Sequence, residues 1–88
     1  MNINFDPIKN LSNQQKHGVS LADAAFFEWE TAVTWQDDRF NYQEPRMIGL
    51  GYIGDRLFCM VFVDRKDNRR IISLRKANLR EIKRYAST

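Results

Sequence analysis

The sequence predicts an α+β fold, in which two N-terminal helices and one C-terminal helix pack on an antiparallel sheet of about four to five strands. Three observations lead to this prediction. Two segments with helix-capping residues lie in the first third of the chain, apolar and β-branched runs separated by turns follow, and a capped amphipathic segment closes it. The 88 residues, 43% of them hydrophobic, suit one domain over residues 1–88 with a thin core.

The N-terminal third should contain a short strand and two helices. Residues 3–5 read as an opening strand. The pair Asp6-Pro7 predicts a helix start, because aspartate is a favoured N-cap and proline is tolerated at the first helical position. This helix should end at His17-Gly18, since glycine often follows a helix in the left-handed conformation. Ser20 is a second N-cap candidate, for a helix that ends near Glu30.

The middle of the chain should supply the sheet. Four segments are typical of strands: residues 31–36, 47–53, 57–63 and 69–74. A polar, proline-containing loop is expected over 37–45, and Gly54 favours a tight hairpin turn. The segment 57–63 is apolar at every position, which predicts a central strand covered on both faces.

The last helix has a clear start. Asn78 with Glu81 three residues later resembles a capping box, in which the two side chains satisfy free backbone N–H groups. The spacing of Leu79, Ile82 and Ala86 predicts an apolar stripe that faces the sheet.

The charge is strongly polarised along the chain. Residues 65–84 hold nine Lys or Arg and two acids, whereas the rest holds five basic and nine acidic residues, for a net charge of +3. A local cationic field of this kind attracts polyanions, of which nucleic acid is the commonest.

Several classes of protein are disfavoured. No apolar run is long enough to cross a bilayer, and the first residues lack the pattern of a signal peptide, so we expect a soluble, cytoplasmic protein with no membrane partner. The single cysteine, Cys59, lies in an apolar run, which favours a buried and unreactive thiol. The acidic residues are scattered and no His or Asp cluster has metal-ligand spacing, so we expect no metal and no other cofactor.

Several motifs together resemble the BrnT family, the toxins of type II toxin–antitoxin pairs. The resemblance runs from Phe5 to Tyr85 and departs from the usual pattern at Phe5, where the family usually has Trp, and at Leu74, where it usually has Ala. The matching residues are Phe5-Asp6-Pro7, Lys9, Asn13, Lys16-His17-Gly18-Val19-Ser20, Ala24, Arg46, Ile48-Gly49, Arg70-Ile71-Ile72-Ser73, Arg75, Ala77, Glu81 and Tyr85.

The resemblance implies a fold similar to RelE-type ribonucleases and cleavage of RNA without a metal. It also implies a partner, a DNA-binding ribbon-helix-helix antitoxin (BrnA-like), with two toxins on one antitoxin dimer. Such cleavage needs a base for the 2′-hydroxyl, cationic donors for the phosphorane and an acid for the leaving oxygen. The candidate catalytic residues are Lys16, His17, Arg70, Arg75 and Tyr85, and the candidate RNA-binding residues are Arg69, Lys76, Arg80, Lys83 and Arg84.

The two arginines of the last strand pose a geometric problem. Arg70 and Arg75 are five residues apart, so strict alternation places them on opposite faces of the sheet. They could still converge if Arg75 lies beyond the end of the strand, where the chain turns toward Asn78. Both are candidates for clamping a phosphate, and the alternative for each is a solvated, charged strand.

Each remaining candidate also has a structural interpretation. His17, the only histidine, could transfer a proton beside Lys16 or could hold the end of the first helix. Tyr85 could stack a base or donate a proton, or its ring could cover the edge of the sheet. The basic residues of the last helix could attract RNA, face an antitoxin or be plainly solvated, and Trp29 and Trp35 fit the core or an antitoxin contact. The alternative function is therefore a non-catalytic module that binds nucleic acid or an antitoxin, as a degenerate toxin would.

Overall fold

A computed structural model describes residues 2–39 and 41–88; Met1 and Phe40, the latter in the predicted loop, lie outside the described residues. The elements in chain order are β1 (Asn2–Asn4), α1 (Pro7–His17), two 3-10 helices (Leu21–Phe26 and Trp29–Thr31), β2 (Val33–Asp37), β3 (Arg46–Ile53), β4 (Arg56–Asp64), β5 (Asn68–Lys76) and α2 (Leu79–Ala86). Neither α-helix of the described chain has the length and apolar character needed to span a bilayer.

The five strands form one sheet in the order β1-β5-β4-β3-β2. The apolar strand β4 is central, as predicted, and the β3–β4 hairpin turns at Gly54, whose φ is +63°. The prediction of a purely antiparallel sheet was wrong, because β1 pairs with β5 in parallel. Hairpins force antiparallel pairing between consecutive strands, but β1 meets the last strand across most of the chain, so no tight turn fixes its direction.

The first helix forms as predicted. The Asp6 carboxylate accepts a hydrogen bond from the Ile8 N–H at 2.9 Å, and Gly18 ends α1 in the left-handed conformation. Asn13 lies on the inner side of α1 and is buried. Its side-chain amide donates to the Leu74 carbonyl at 2.8 Å and accepts from the Leu74 N–H at 3.2 Å, which ties α1 to β5.

The second predicted helix, from Ser20 to about Glu30, was wrong as an α-helix. Ser20 does act as an N-cap, accepting from the Ala22 N–H at 3.2 Å, but the segment that follows is a 3-10 helix. Leu21, Ala24 and Phe27 are at most 4% exposed. Their spacing of three matches the three residues per turn of a 3-10 helix, so tighter winding points all three into the core.

One face of the sheet, called here the core face, packs against the first 3-10 helix, whereas α1 lies along the outer edge of β5. Its β3 residues include Gly49 and Gly51, and the Phe27 ring lies directly against this bare backbone. The Phe27 ring also makes an edge contact with Trp29, with centroids 4.7 Å apart. The buried cluster consists of Val19, Leu21, Ala24, Phe27, Met60, Phe62, Ile71 and Leu74.

The start of α2 is the predicted capping box. The Asn78 side chain accepts from the Glu81 N–H, and the Glu81 carboxylate accepts from the Asn78 N–H, each at 2.9 Å. The predicted inward stripe was wrong: Leu79 is 65% exposed, Ile82 is 40% exposed and Ala86 is exposed.

A different side of α2 faces the sheet. Glu81, Arg84 and Tyr85 occur at helical spacing, and each contacts a residue of the sheet or of the segment before it. The Tyr85 hydroxyl donates to the Thr31 carbonyl at 3.0 Å, and its ring packs edge-on against Tyr52. Polar and aromatic contacts thus hold this short helix, and its aliphatic side chains stay in solvent.

Candidate nucleic-acid interface

A β-bulge brings the two arginines of β5 to the same face of the sheet. Arg70 pairs with Val63 and Arg75 with Cys59, and these partners are four residues apart on β4, so their side chains point the same way. The register shifts between Val61 and Phe62, where β5 contains one residue more than β4. The simple alternation of side chains had predicted opposite faces for Arg70 and Arg75. The extra residue, Ile72, has no partner on β4, so the alternation shifts by one and the two arginines lie on the same face. Arg75 lies within β5 and not beyond it.

The face that carries these arginines, called here the open face, lies opposite the core face. Strand β2 contributes Trp35, which pairs with Ile48, and β3 contributes Arg46, which pairs with Asp37. Ile48 in turn pairs with Val61 of β4, which places all of these residues on the side of Arg75. The open face is therefore a broad surface with several cationic side chains.

A cleft of about 280 Å³ separates α2 from the open face. We call it the α2 cleft. It is lined by Trp35, Arg39, Ile48, Cys59, Val61, Arg75, Arg80, Glu81 and Arg84. Four arginines and one carboxylate therefore surround an apolar floor formed by the sheet.

Arg75 is held rigidly in this cleft. Its guanidinium donates to both oxygens of Glu81, with both distances 2.8 Å, and to the Lys76 carbonyl at 3.3 Å. The Arg75 side chain is still 35% exposed. These contacts use three of its five N–H donors, and the other two have no hydrogen-bond partner among the residues that the structure describes. Glu81 therefore binds Arg75 and caps α2 at the same time.

Arg39 stands at the rim of the same cleft, and the sequence analysis did not identify it. Asp37, whose side chain is only 2% exposed, accepts from the Arg39 Nε and Nη2 at 2.8 and 2.9 Å and from the Tyr42 hydroxyl at 3.0 Å. The Arg39 guanidinium holds the pKa of the Asp37 carboxyl well below its usual range, although burial opposes this shift. The available signal was an arginine two residues after an aspartate, in an otherwise acidic part of the chain.

Arg70 lies in a second cleft on the open face, also of about 280 Å³. Lys9 of α1, Arg46 of β3 and Arg65 line it as well. Of these, Arg65 is paired with Glu44 at 2.8 Å, and Arg46 lies over the Tyr42 ring at 4.4 Å. Sequence reasoning missed Lys9 and Arg46 as site residues, although both belong to the motifs that matched the family.

Lys16 and His17 lie near this second cleft, at the end of α1. They line a third cleft together with Ser73, and Lys9 and Ile72 border both the second and the third cleft. The predicted proton-transfer candidates are thus on the α1 side of the open face, whereas Arg75 is on the α2 side.

Other predicted residues lie elsewhere. Arg69 points to the core face, where its guanidinium lies 4.2 Å from the Trp29 ring centroid and pairs with Asp64. Lys76 pairs with Phe58, which also places it on the side opposite Arg75. Lys83 is exposed on α2 and lines none of the clefts described above, and the Tyr85 hydroxyl is occupied by the Thr31 carbonyl. Of the predicted RNA-binding set, Arg80 and Arg84 line the α2 cleft.

The Arg75–Glu81 pair should make the protein sensitive to acid. The Arg75 guanidinium lowers the pKa of Glu81 from 4.5 to about 2. A carboxyl whose pKa is lower in the folded state stabilises the fold above its unfolded pKa, and this contribution disappears as pH falls toward the folded pKa. We therefore expect stability to decline between about pH 4.5 and pH 2, with α2 losing its attachment.

Chemical denaturation at several pH values checks this expectation, with Glu81→Gln as the matched variant. The glutamine side chain would keep an oxygen for the Asn78 N–H but would carry no charge. The variant should be less stable than the wild type at pH 6 and should lose less stability on acidification. Equal slopes for the two proteins would contradict the assignment, because the other carboxyls whose pKa is lowered, Asp37 and Glu44, would then account for the acid response.

The fold and the site define a class: a small α+β protein whose sheet presents a face lined with arginines. Within residues 2–39 and 41–88, no group of three or more His, Cys, Asp or Glu side chains is arranged to hold a metal ion.

A search of curated proteins finds no match to the chain. The sequence model of one family, described as the ribonuclease toxin, BrnT, of type II toxin-antitoxin systems, matches residues 5–81. The chain belongs to this BrnT family.

Proposed function

We propose that the chain is an endoribonuclease toxin that binds and cuts RNA on the open face, without a metal. The observation that carries this proposal is the bulge at Ile72, which places Arg70 and Arg75 on one side of the sheet with Arg46. A row of guanidinium groups on a sheet matches the spaced negative charges of an RNA backbone. Membership of a family of ribonuclease toxins supports the same conclusion.

Arg75 has the properties needed to stabilise a phosphorane. A donor that is already fixed by the protein stabilises developing charge without having to reorganise. Arg75 is fixed by Glu81 and keeps two donors for non-bridging phosphate oxygens. We assign Arg70 to a neighbouring phosphate. Lys16 and His17 are the candidates for proton transfer to or from the 2′-oxygen or the 5′-oxygen, from the α1 side of the open face.

We further propose that an antitoxin with a ribbon-helix-helix domain neutralises the toxin, in a complex of two toxins and one antitoxin dimer, in the cytoplasm. Type II systems pair a protein toxin with a protein antitoxin, which is what the family description implies. The exposed Leu79 and Ile82 offer this partner an apolar surface on the side of α2 that faces away from the sheet.

The test is expression of the chain in a bacterium, with Arg75→Ala beside it. The wild type should arrest growth and fragment total RNA, and Arg75→Ala should abolish both effects, because the phosphate loses its fixed donor. Lys76→Ala is the matched control: it removes the same charge one residue later, from the other side of the sheet. It should behave as the wild type. Growth and RNA integrity are compared at equal soluble yield.

Two outcomes would contradict the proposal. Normal growth and intact RNA with well-expressed wild type would exclude an active ribonuclease under these conditions. Equal loss of toxicity in Arg75→Ala and Lys76→Ala would show that total charge matters and not the open face.

One observation favours a non-catalytic binding module as the second candidate function. The Tyr85 hydroxyl is engaged by Thr31, and His17 and Arg75 line different clefts. A module of this kind would bind RNA through the same arginines but would leave it intact. In the expression test, it predicts that RNA binding is weakened by Arg75→Ala while neither protein fragments RNA.

A further inference from the structure

The α2 cleft contains an aromatic ring that its cationic lining does not explain. Trp35 lies on β2, one of the two edge strands of the sheet, with its side chain on the open face next to that of its cross-strand partner Ile48. It is partly exposed and lines the cleft with Arg39, Arg75 and Arg84. An aromatic ring among arginines is the combination that single-stranded nucleic-acid sites use, because bases stack on the ring while cations hold the phosphates.

The other tryptophan provides an internal comparison. Trp29 makes edge contacts with Phe27 and Phe62, at 4.7 and 5.2 Å between centroids, and packs against the core as a partly buried residue. Arg69 covers it while also bound to Asp64. A guanidinium also covers the ring of Trp35, but this ring borders a cleft and the guanidinium belongs to Arg84, an exposed residue of α2.

Arg84 occupies the ring of Trp35 in the free protein. The Arg84 guanidinium carbon lies 3.6 Å from the Trp35 ring centroid, which is a close stacking contact. Cation–π contacts at exposed sites are weak, and Arg84 is an exposed residue on the short helix α2. A planar cation that leaves the ring next to a bound RNA strand can pair with a phosphate of that strand, so the exchange keeps a favourable contact for Arg84.

We propose that Trp35 is a stacking site for one nucleobase of single-stranded RNA, and that the base takes the place of the Arg84 guanidinium on the ring. The stacked base lies beside the nucleotide whose phosphate is bound by Arg75. This inference rests on the proposed function, because it concerns the same cleft and the same class of substrate. It adds a determinant of which nucleotide sits next to the cut.

The test uses ¹⁹F NMR of the full chain labelled with 5-fluorotryptophan. The chain has two tryptophans, so two resonances are expected, and Trp35→Phe assigns them. The probe is a single-stranded 2′-O-methyl RNA hexamer of mixed sequence, whose blocked 2′-oxygen cannot attack the phosphate. The Trp35 resonance should shift on titration and should saturate, while the Trp29 resonance should stay in place.

A series of hexamers with one abasic position each separates stacking from phosphate binding. All members carry the same phosphates, so charge is constant. One member should bind about tenfold more weakly than the intact hexamer and should fail to shift the Trp35 resonance. If all abasic members bind and shift Trp35 like the intact strand, the inference is wrong.

Two substitutions test the ring itself. Trp35→Leu keeps an apolar side chain but removes the ring. This variant should bind the intact hexamer about tenfold more weakly than the wild type does, and should bind the intact and abasic hexamers with equal affinity. Trp35→Phe keeps a ring and should bind within about threefold of the wild type. Far-UV circular dichroism and thermal unfolding confirm that both variants fold. Equal affinity of Trp35→Leu and the wild type would overturn the inference.

The outcomes separate this inference from the proposed function. A protein that binds the hexamer through Trp35 but cuts no RNA would support the stacking site and overturn the ribonuclease. A protein that cuts RNA while its Trp35 resonance stays fixed on binding would overturn the stacking site alone. Absence of any binding to the hexamer would overturn the stacking site as well.

Discussion

Asn13→Ala should lower the free energy of unfolding by about 3–5 kcal/mol. Beyond the three residues paired with β1, the outer edge of β5 is open, and the Asn13 amide satisfies the peptide groups of Leu74 there as a neighbouring strand would. It also donates to the Val19 carbonyl at 2.9 Å. Truncation leaves three buried backbone groups without this partner: the Leu74 N–H, the Leu74 carbonyl and the Val19 carbonyl. Each unsatisfied group costs about 1–3 kcal/mol, and the surrounding structure can recover part of that cost by rearranging.

Such a loss is a large share of the free energy of unfolding, which is expected to be about 4–13 kcal/mol for a chain of 88 residues. Urea denaturation followed by circular dichroism measures it. Gln15→Ala is the control, because Gln15 is exposed on the same helix and its replacement should change stability by less than about 0.5 kcal/mol. Similar midpoints for the two variants would mean that water replaces the amide at the edge of β5.

Gly51→Ala should destabilise the fold by about 1–3 kcal/mol through overpacking. A Cβ at this position would lie 2.5 Å from the Cζ of Phe27 and 2.9 Å from its Cε2, so the ring would have to move. Phe27 is 4% exposed and is in contact with Trp29, so it has little room. The displacement should also weaken the packing of the first 3-10 helix.

Gly49→Ala is the matched control on the same strand and face. Its Cβ would meet Phe62 at 3.4 Å and Thr34 at 3.5 Å, which needs only a small adjustment. Since glycine is unfavourable in a strand, we expect a change within about 1 kcal/mol of zero. Thermal unfolding of both variants compares them directly; a midpoint for Gly51→Ala equal to that of Gly49→Ala would show that Phe27 can move freely.

Much of the fold was predictable because it depends on local signals. The Asp6 and Asn78 caps, the Gly18 helix end and the Gly54 turn all formed where the sequence placed them. The second helix was not predictable in this way, since a 3-10 helix and an α-helix begin with the same cap. What decided between them was the burial of Leu21, Ala24 and Phe27 at intervals of three, a tertiary effect.

The candidate site was harder to predict than the fold, because the face on which a strand residue lies depends on an exact count of paired residues. Alternation along a strand is a reliable rule only while every residue has a partner, and one unpaired residue on β5 reverses it. The sequence around Ile72 contains no glycine or proline from which a bulge could be predicted. Arg39 was missed for another reason: its position depends on a buried carboxylate, and burial of Asp37 is not visible in a polar loop.

The burial of Cys59 has a consequence for measuring motion. The thiol is 4% exposed, and burial, with the negative charge of Glu81, raises its pKa to about 12 against the opposing effect of Arg75. A thiol reagent therefore reaches and activates it only when α2 swings away from the sheet. The chain has no other cysteine, so the rate at which Cys59 is labelled under native conditions reports how readily α2 separates from the sheet. Where labelling is faster than the return of α2, this rate equals the rate of opening.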